Sequence, residues 1–412
     1  MTEHELRTRL REVRVADEAV AQERAWAVIR AAHGAAQSRE ARPRWRATVP
    51  AVAGLAAVAI LVVVIGSVPR QAVARWVRDA LGLTALPQAR PTLGPLPGGG
   101  QLLVSARSGV WLVTPRGGHR RLGAGEGATF SPHSLYVAAW RGHELAALDL
   151  RGRRQWSLTA SAPVSGAQWS PDGYRIAYVA GRSLMVVAGD GSGAHRLMGR
   201  VQRLAPAWEP GTGAVHRVAL LDARGAIELR DGDSGALIWT AHPRARPQQL
   251  LWSPDGRRLV VVSRRDVALY RRDGRRLASR MLAGGESLAG GALAPGDRLA
   301  LLIARAAPAT SSLALIAATP AGLRRAPRML LTAAERLVGI SWSPDHRWLL
   351  AVGPSADQWL FVGANGAPRI IAVSRVAAAF GASGRGRSAA AMPGAFPRVA
   401  GWQALNPRAA GS

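Results

Sequence analysis

A five-residue phrase recurs along this 412-residue chain and constrains its architecture more than any other feature. Trp-Ser-Pro-Asp-Gly begins at Trp169 and at Trp252, and the copy that begins at Trp342 differs only in its last residue. Degenerate copies begin at Phe130, Trp208 and Leu293. Successive copies start 39, 39, 44, 41 and 49 residues apart, a period typical of four-stranded propeller blades.

Each copy has the composition of a turn between two strands. Pro presets φ, the Asp side chain accepts from nearby backbone N–H groups, and Gly tolerates positive φ. After the copy at Trp169, residues 174–180, 183–188 and 195–198 read as three further strands, so one repeat holds four. We assign a structural role in the blades to Phe130, Pro132, Trp169, Pro171, Asp172, Gly173, Trp208, Pro210, Trp252, Pro254, Asp255, Gly256, Pro295, Trp342, Pro344, Asp345 and Trp402.

The two ends of the repeat region complement each other. A second turn, between the third and fourth strands, occurs seven times, once more than the phrase itself. Residues 101–122 supply strands two to four without a first, and residues 398–402 supply a first strand alone. Joining them leaves no open sheet edge. We predict an all-β, seven-bladed propeller whose last strand closes the first blade; the alternative is an open β-sandwich with a repeated turn.

The phrase, followed by a β-strand, resembles the repeat of TolB-type and WD-like propellers of bacterial envelope proteins. The resemblance covers residues 100–405. The whole layout is similar to actinobacterial single-pass membrane-anchored propeller proteins of unassigned function, with an arginine-rich head, one hydrophobic span and a final Pro-Arg-Val-Ala-Gly-Trp. This resemblance implies a scaffold and an envelope location, and it implies no activity.

One segment is long and apolar enough to cross a bilayer. Residues 48–68 contain 21 residues without a charge, and a spanning helix needs about 20. Five arginines precede the segment closely and three follow it, which favours a cytoplasmic N-terminus and an extracytoplasmic propeller. A buried soluble helix and a signal peptide cleaved near residues 72–74 are the alternatives. The predicted membrane anchors are Ile60, Leu61, Val62, Val63, Val64, Ile65 and Trp76.

These patterns divide the chain into six predicted segments. The head is either a docking segment for a cytosolic regulator or a stub that sets topology through its charges. The segments are a cytosolic arginine-rich helical head (1–46), a transmembrane helix (47–69), a juxtamembrane amphipathic helix (70–83), a Pro/Gly linker (84–100), the propeller (101–405) and a disordered tail (406–412).

The net charge of +28 suggests an anionic partner. The residues after position 96 account for +22 of it. We expect an unknown protein or an anionic envelope polymer at the propeller face, whereas nucleic acid is disfavoured because the domain is predicted to lie outside the cell. A generally solvated basic surface is the alternative. Paired arginines occur at Arg153-Arg154, Arg257-Arg258, Arg264-Arg265, Arg271-Arg272, Arg275-Arg276 and Arg324-Arg325.

The sequence offers little for catalysis or metal binding. The chain has no cysteine, which excludes disulfides and thiolate ligands. The run from Asp231 resembles a calcium loop, but Ala236 and His242 stand where Gly and Glu are needed, so we predict a hairpin turn. Residues 285–289 are the nearest match to a nucleophile elbow, but they lie between blades. We predict no catalytic residue, cofactor or metal.

The best functional hypothesis from sequence is a membrane-anchored, extracytoplasmic propeller that acts as a non-enzymatic binding, sensing or scaffold module. The first alternative is an anti-sigma-like regulator whose head binds a transcription factor, although the head lacks the His-x-x-x-Cys-x-x-Cys signature of zinc anti-sigma factors. The second alternative is an enzyme with a site at the centre of the propeller channel.

Overall fold

The described part of the chain is built around seven four-stranded antiparallel sheets. The computed structural model describes residues 78–79, 81–211, 216–366, 369–381 and 396–406. In six of the sheets four consecutive strands pair in chain order, as the repeat predicts. Each sheet is one blade, so the predicted seven-bladed propeller is confirmed.

The strand bounds follow the repeat closely. Blades 1 to 3 contain β4 (Gly127–Phe130), β5 (Tyr136–Arg141), β6 (Glu144–Asp149), β7 (Arg154–Thr159); β8 (Val164–Trp169), β9 (Arg175–Ala180), β10 (Ser183–Ala188), β11 (His195–Met198); and β12 (Ala207–Trp208), β13 (Arg217–Leu221), β14 (Ile227–Asp231), β15 (Leu237–Ala241). Blades 4 and 5 contain β16 (Pro247–Trp252), β17 (Arg258–Ser263), β18 (Asp266–Arg271), β19 (Arg276–Met281); and β20 (Glu286–Ala294), β21 (Arg298–Arg305), β22 (Thr310–Ala317), β23 (Arg328–Ala333).

Blade 7 combines the two ends of the repeat region. Its strands pair in the order β28 (Arg398–Gln403), β1 (Gln101–Ala106), β2 (Gly109–Val113), β3 (His119–Gly123). Leu102 lies opposite Trp402 and Leu103 opposite Gly401 in the register. The predicted ring closure is therefore confirmed. Blade 6 contains β24 (Val338–Trp342), β25 (Trp348–Gly353), β26 (Gln358–Gly363), β27 (Ile370–Ser374).

Short helical segments occupy three of the connections. Helix α1 (Pro320–Arg324) connects β22 to β23, and the side chain of Thr319 caps it by accepting a hydrogen bond from the Gly322 N–H. Helix α2 (Val376–Ala379) follows β27. A single 3-10 turn (Pro354–Ala356) lies between β25 and β26.

The hydrophobic core lies between blades. Seven clusters of buried apolar residues form, and each joins two neighbouring blades. Leu229 of blade 3 packs in one cluster with Leu259 of blade 4, and Leu103 of blade 7 packs in another with Phe130 of blade 1. Because both faces of each blade are covered by neighbouring blades, the two middle strands of a blade have nearly continuous apolar sequences.

The recurrent phrase builds the same turn in each intact copy. The Ser170 hydroxyl accepts from the Arg175 N–H at 2.9 Å and donates to Asp172, whose carboxylate also accepts from the Tyr174 N–H. The copies at Ser253 and Ser343 make the same bonds. Asp172 thus makes the hydrogen bonds of this turn. Desolvation by burial opposes its charged form, but the hydrogen bonds from the Ser170 hydroxyl and the Tyr174 N–H, with Arg175 nearby, lower the pKa of the Asp172 carboxyl.

In the five copies whose fifth position is described, that position has a left-handed backbone whatever residue occupies it. Gly173 has φ 79° and Gly256 has φ 65°. In the imperfect copies Ser134, Asp297 and His346 stand at this position with φ 52°, 58° and 55°. Glycine adopts this conformation without strain, whereas other residues do so at a cost. The turn geometry is therefore conserved within the ring even where its preferred residue is missing.

The chain before the first blade runs along the outside of the ring. Thr84 and Thr332 exchange two hydrogen bonds of 2.8 Å, at the outer strand of blade 5. Arg90 then pairs in parallel with Val373 on the outer strand of blade 6. Leu96 is buried, and Gly99 accepts from the Trp402 indole N–H at 2.8 Å. The segment predicted to be a linker is thus docked on blades 5, 6 and 7.

Several predictions concern residues that the structure does not describe. These are the head (1–46), the membrane helix (47–69) with its anchors, Trp76 and most of the juxtamembrane helix, and residues 407–412 of the tail. Among the residues that are described, no helix has the length and apolar character needed to span a bilayer. Asn406, the first residue of the predicted tail, donates a hydrogen bond to the His133 carbonyl.

Candidate anion-binding face

The antiparallel blades give the ring two chemically different faces. The turns between first and second strands and between third and fourth strands lie on one face, which contains the recurrent phrase and is called the motif face here. The turns between second and third strands and the connections between blades lie on the opposite face, called the loop face. This assignment follows from strand order alone.

Several arginines of the motif face are paired with carboxylates. Arg258 contacts Asp297 of the next blade at 2.6 Å, and Arg175 contacts Asp233 of the next blade at 2.5 Å. Arg271 pairs with Asp273, and this contact lowers the pKa of the Asp273 carboxyl to about 2. These pairs bridge neighbouring blades or close turns, so they have structural partners already.

Glu209 provides the most deeply buried carboxylate on the motif face. It stands where the intact phrase has serine, and its side chain is 4% exposed. Arg272 of blade 4 contacts its Oε1, and Arg217 lies 3.6 Å from its Oε2. The degenerate copy at Trp208 therefore replaces the local serine bonds with a contact between blades 3 and 4.

The pockets of the loop face contain more arginines than carboxylates. Two of them are each lined by four arginines and one carboxylate. A third is lined by five arginines and no carboxylate. The pocket without a carboxylate has a volume of about 700 Å³ and lies across blades 2, 3 and 4. We call it the arginine groove. Its arginines are Arg182, Arg203, Arg224, Arg244 and Arg246.

The groove arginines come from four successive connections. Arg182 lies in the turn between β9 and β10, Arg203 in the connection to β12, Arg224 in the turn between β13 and β14, and Arg244 and Arg246 in the connection to β16. All five side chains are exposed. Within the described chain, none has a carboxylate oxygen within 4 Å; Arg246 Nε donates to Gln202 Oε1 at 3.3 Å.

The nearest acidic residues do not neutralise the groove. The Asp222 carboxylate accepts from the Arg224 and Ala226 N–H groups and so holds the turn that carries Arg224. Asp266 is 4% exposed, and burial raises the pKa of its carboxyl despite the charges of Arg276 and Arg244. Its Oδ1 has no hydrogen-bond partner in the described structure. The groove thus presents fixed positive charge to solvent.

The other residues considered from sequence take structural places. Asp231 closes a hairpin turn by accepting from the Asp233 and Ser234 N–H groups, as predicted. His216 lies 3.3 Å from Asp172, between blades 2 and 3. No group of three or more His, Asp or Glu side chains is arranged for a metal ion in the described residues.

Sequence reasoning did not single out the groove arginines. It emphasised adjacent arginine pairs, and five of the six pairs lie on the motif face; only Arg264-Arg265 lies on the loop face. The groove residues are single arginines, far apart in sequence. Their position within the repeat is the signal that could have identified them, since all follow a second or fourth strand.

Comparison with known proteins does not assign the chain to a family. No family model matches the chain, and no curated protein matches it. Among solved structures, hydrazine synthase of Kuenenia stuttgartiensis is similar at 16% identity and a TM-score of 0.48, over 58% of this chain and 76% of that one. The Cps50 (Swd1) β-propeller domain of Myceliophteria thermophila is similar at 13% identity and a TM-score of 0.46, over 60% and 85%.

Proposed function

We propose that this chain is a membrane-anchored binding or scaffold module whose loop face holds an anionic partner outside the cell. A propeller suits such a role because loops from several blades converge on one face. The observation that carries the proposal is the contrast between faces. On the motif face Arg175, Arg258 and Arg271 have carboxylate partners, whereas none of the five groove arginines has one within the described residues.

The guanidinium groups favour phosphate or carboxylate oxygens as ligands. Arginine offers several donors in a planar fork that matches these anions. A cluster of uncompensated arginines repels itself, and an anionic ligand relieves that repulsion. The membrane anchor and the outward orientation rest on the hydrophobic segment at 48–68 and its flanking arginines.

The binding test uses the full chain in a neutral detergent and sodium polyphosphate as the probe. Isothermal titration calorimetry compares the wild type with the double variant Arg224→Ala/Arg244→Ala. We expect about tenfold weaker binding, the scale of two lost charge-assisted contacts. The matched control is Arg324→Ala/Arg325→Ala, which removes two exposed arginines from the motif face. Equal losses of affinity in both variants would show that binding depends on the overall positive charge and not on the groove.

The location is tested separately by labelling. Because the chain has no cysteine, single cysteines report topology without background. We expect a membrane-impermeant maleimide to label Ser192→Cys, which lies in the propeller, in intact cells. It should label Ser38→Cys, which lies in the head, only after lysis. Labelling of Ser38→Cys alone in intact cells would refute the proposed orientation.

A further inference from the structure

The outer strands of the blades differ in how their free edges are protected. Outer edges expose unpaired backbone groups, and charged side chains there discourage pairing with other chains. Five of the seven outer strands contain arginine: β3, β7, β11, β19 and β23. Only β15 and β27 have no charged residue.

The chain itself covers one of these two uncharged edges. Arg90 N–H donates to the Ala372 carbonyl, and the Ser374 N–H donates to the Arg90 carbonyl, both at 2.8 Å. An extended segment thus lies in parallel beside β27. This contact, a bridge at one residue, shows that the outer edge of β27 pairs with another segment of the chain.

The edge of β15 has no such cover in the described part of the chain. β15 pairs with β14 on one side, and no described backbone group bonds to its other side. Leu237 and Ile238 are 51% and 43% exposed. Trp239 is fixed by its indole N–H, which donates to the Arg272 carbonyl at 2.8 Å. The strand is therefore an apolar edge that has no pairing partner among the described residues.

The free edge leads directly into the arginine groove. β15 runs towards the loop face and ends at Ala241, and the groove lining resumes at Pro243 and continues through Arg244 and Arg246. A ligand that extends along β15 would therefore continue past positive charge without a gap. Charge complementarity therefore favours an acidic segment in the part of the ligand that enters the groove.

We infer that the partner of this face is a polypeptide with an extended, uncharged run that adds to β15 as a fifth strand and an adjoining acidic run that enters the arginine groove. The inference rests on the proposed function, because it names the partner of the same groove. Main-chain hydrogen bonds to β15 supply affinity, as in other cases of strand addition. The groove arginines make binding specific for an acidic segment.

The probe is a synthetic peptide in which alternating Val and Thr, as long as β15, are joined to a run of Asp, made with the Asp run at either end. Its comparison peptide has the same charge and a Pro in the middle of the uncharged run. With the full chain in neutral detergent, we expect one orientation to bind about tenfold more tightly than its Pro peptide, because Pro blocks main-chain pairing. Arg244→Ala/Arg246→Ala should weaken both peptides.

Hydrogen exchange locates the contact. We expect the amides of residues 237–241 to exchange more slowly with the peptide bound, and to be unchanged with polyphosphate bound. Equal affinity of the peptide and its Pro form, or unchanged exchange at β15, would overturn the inference and leave an anionic polymer as the occupant. If neither the peptides nor polyphosphate binds, the proposed function fails with it.

Discussion

The indole N–H of Trp208 donates to the main-chain carbonyl of Gln168, 3.0 Å away in the neighbouring blade. Trp252 bonds in the same way to Ala207, and Trp342 to Ala292. In each case the acceptor directly precedes the lead residue of the preceding blade. In these three blades the recurrent tryptophan thus joins its blade to the one before it, in addition to packing in the core.

Trp252→Phe should lower the free energy of unfolding by about 1 kcal/mol more than Trp169→Phe does. Both tryptophans are buried to the same degree, but Trp169 Nε1 has no partner in the described structure. The loss of ring volume is common to the two variants, so their difference isolates the hydrogen bond. Urea unfolding monitored by circular dichroism measures it. Equal losses would show that the bond between blades contributes nothing.

His346→Gly should raise the free energy of unfolding by about 1 kcal/mol, because it relieves a left-handed backbone at a non-glycine residue. The contact of Arg298 with the His346 carbonyl involves only the backbone at residue 346 and is retained. The opposite change, Gly173→Ala, should destabilise, since its new methyl group would have space but the wrong φ. A lower midpoint for His346→Gly in thermal unfolding would contradict this account.

Asp266→Asn should stabilise the protein at neutral pH by about 1 kcal/mol, because it removes a desolvated charge. Burial raises the pKa of Asp266 above its ordinary value, with Arg276 and Arg244 opposing. The penalty is therefore full above the folded pKa and disappears below the unfolded value, about 3.9. Urea unfolding at pH 7 and at pH 3 should show a gain at the first and none at the second. A gain that persists at pH 3 would point to packing instead of charge.

The affinity for polyphosphate should fall as salt concentration rises, since bound counterions are released from the polymer. Arg244→Ala/Arg246→Ala should reduce the slope of log affinity against log salt by about one to two. Arg324→Ala/Arg325→Ala on the motif face should leave the slope unchanged. A slope that changes equally in both variants would contradict a localised site.

Local sequence chemistry is enough to predict the ring. Turn chemistry in the recurrent phrase and the period between copies are properties of neighbouring residues. They predicted four-stranded blades and the pairing of residues 398–402 with the start of the repeat region, near residue 101. The left-handed turn position follows from the same local chemistry, even where Ser134 or His346 occupies it.

Which charges remain unpaired depends on contacts between blades. Arg258 is neutralised by Asp297 from another blade, whereas Arg182, Arg224 and Arg244 converge on one groove from connections far apart in the chain. Whether the outer edge of a blade is covered also depends on the tertiary structure. Arg90 pairs with the edge of β27, whereas the edge of β15 has no pairing partner among the described residues. Local sequence does not encode these differences, since they depend on which loops the closed ring brings together in space.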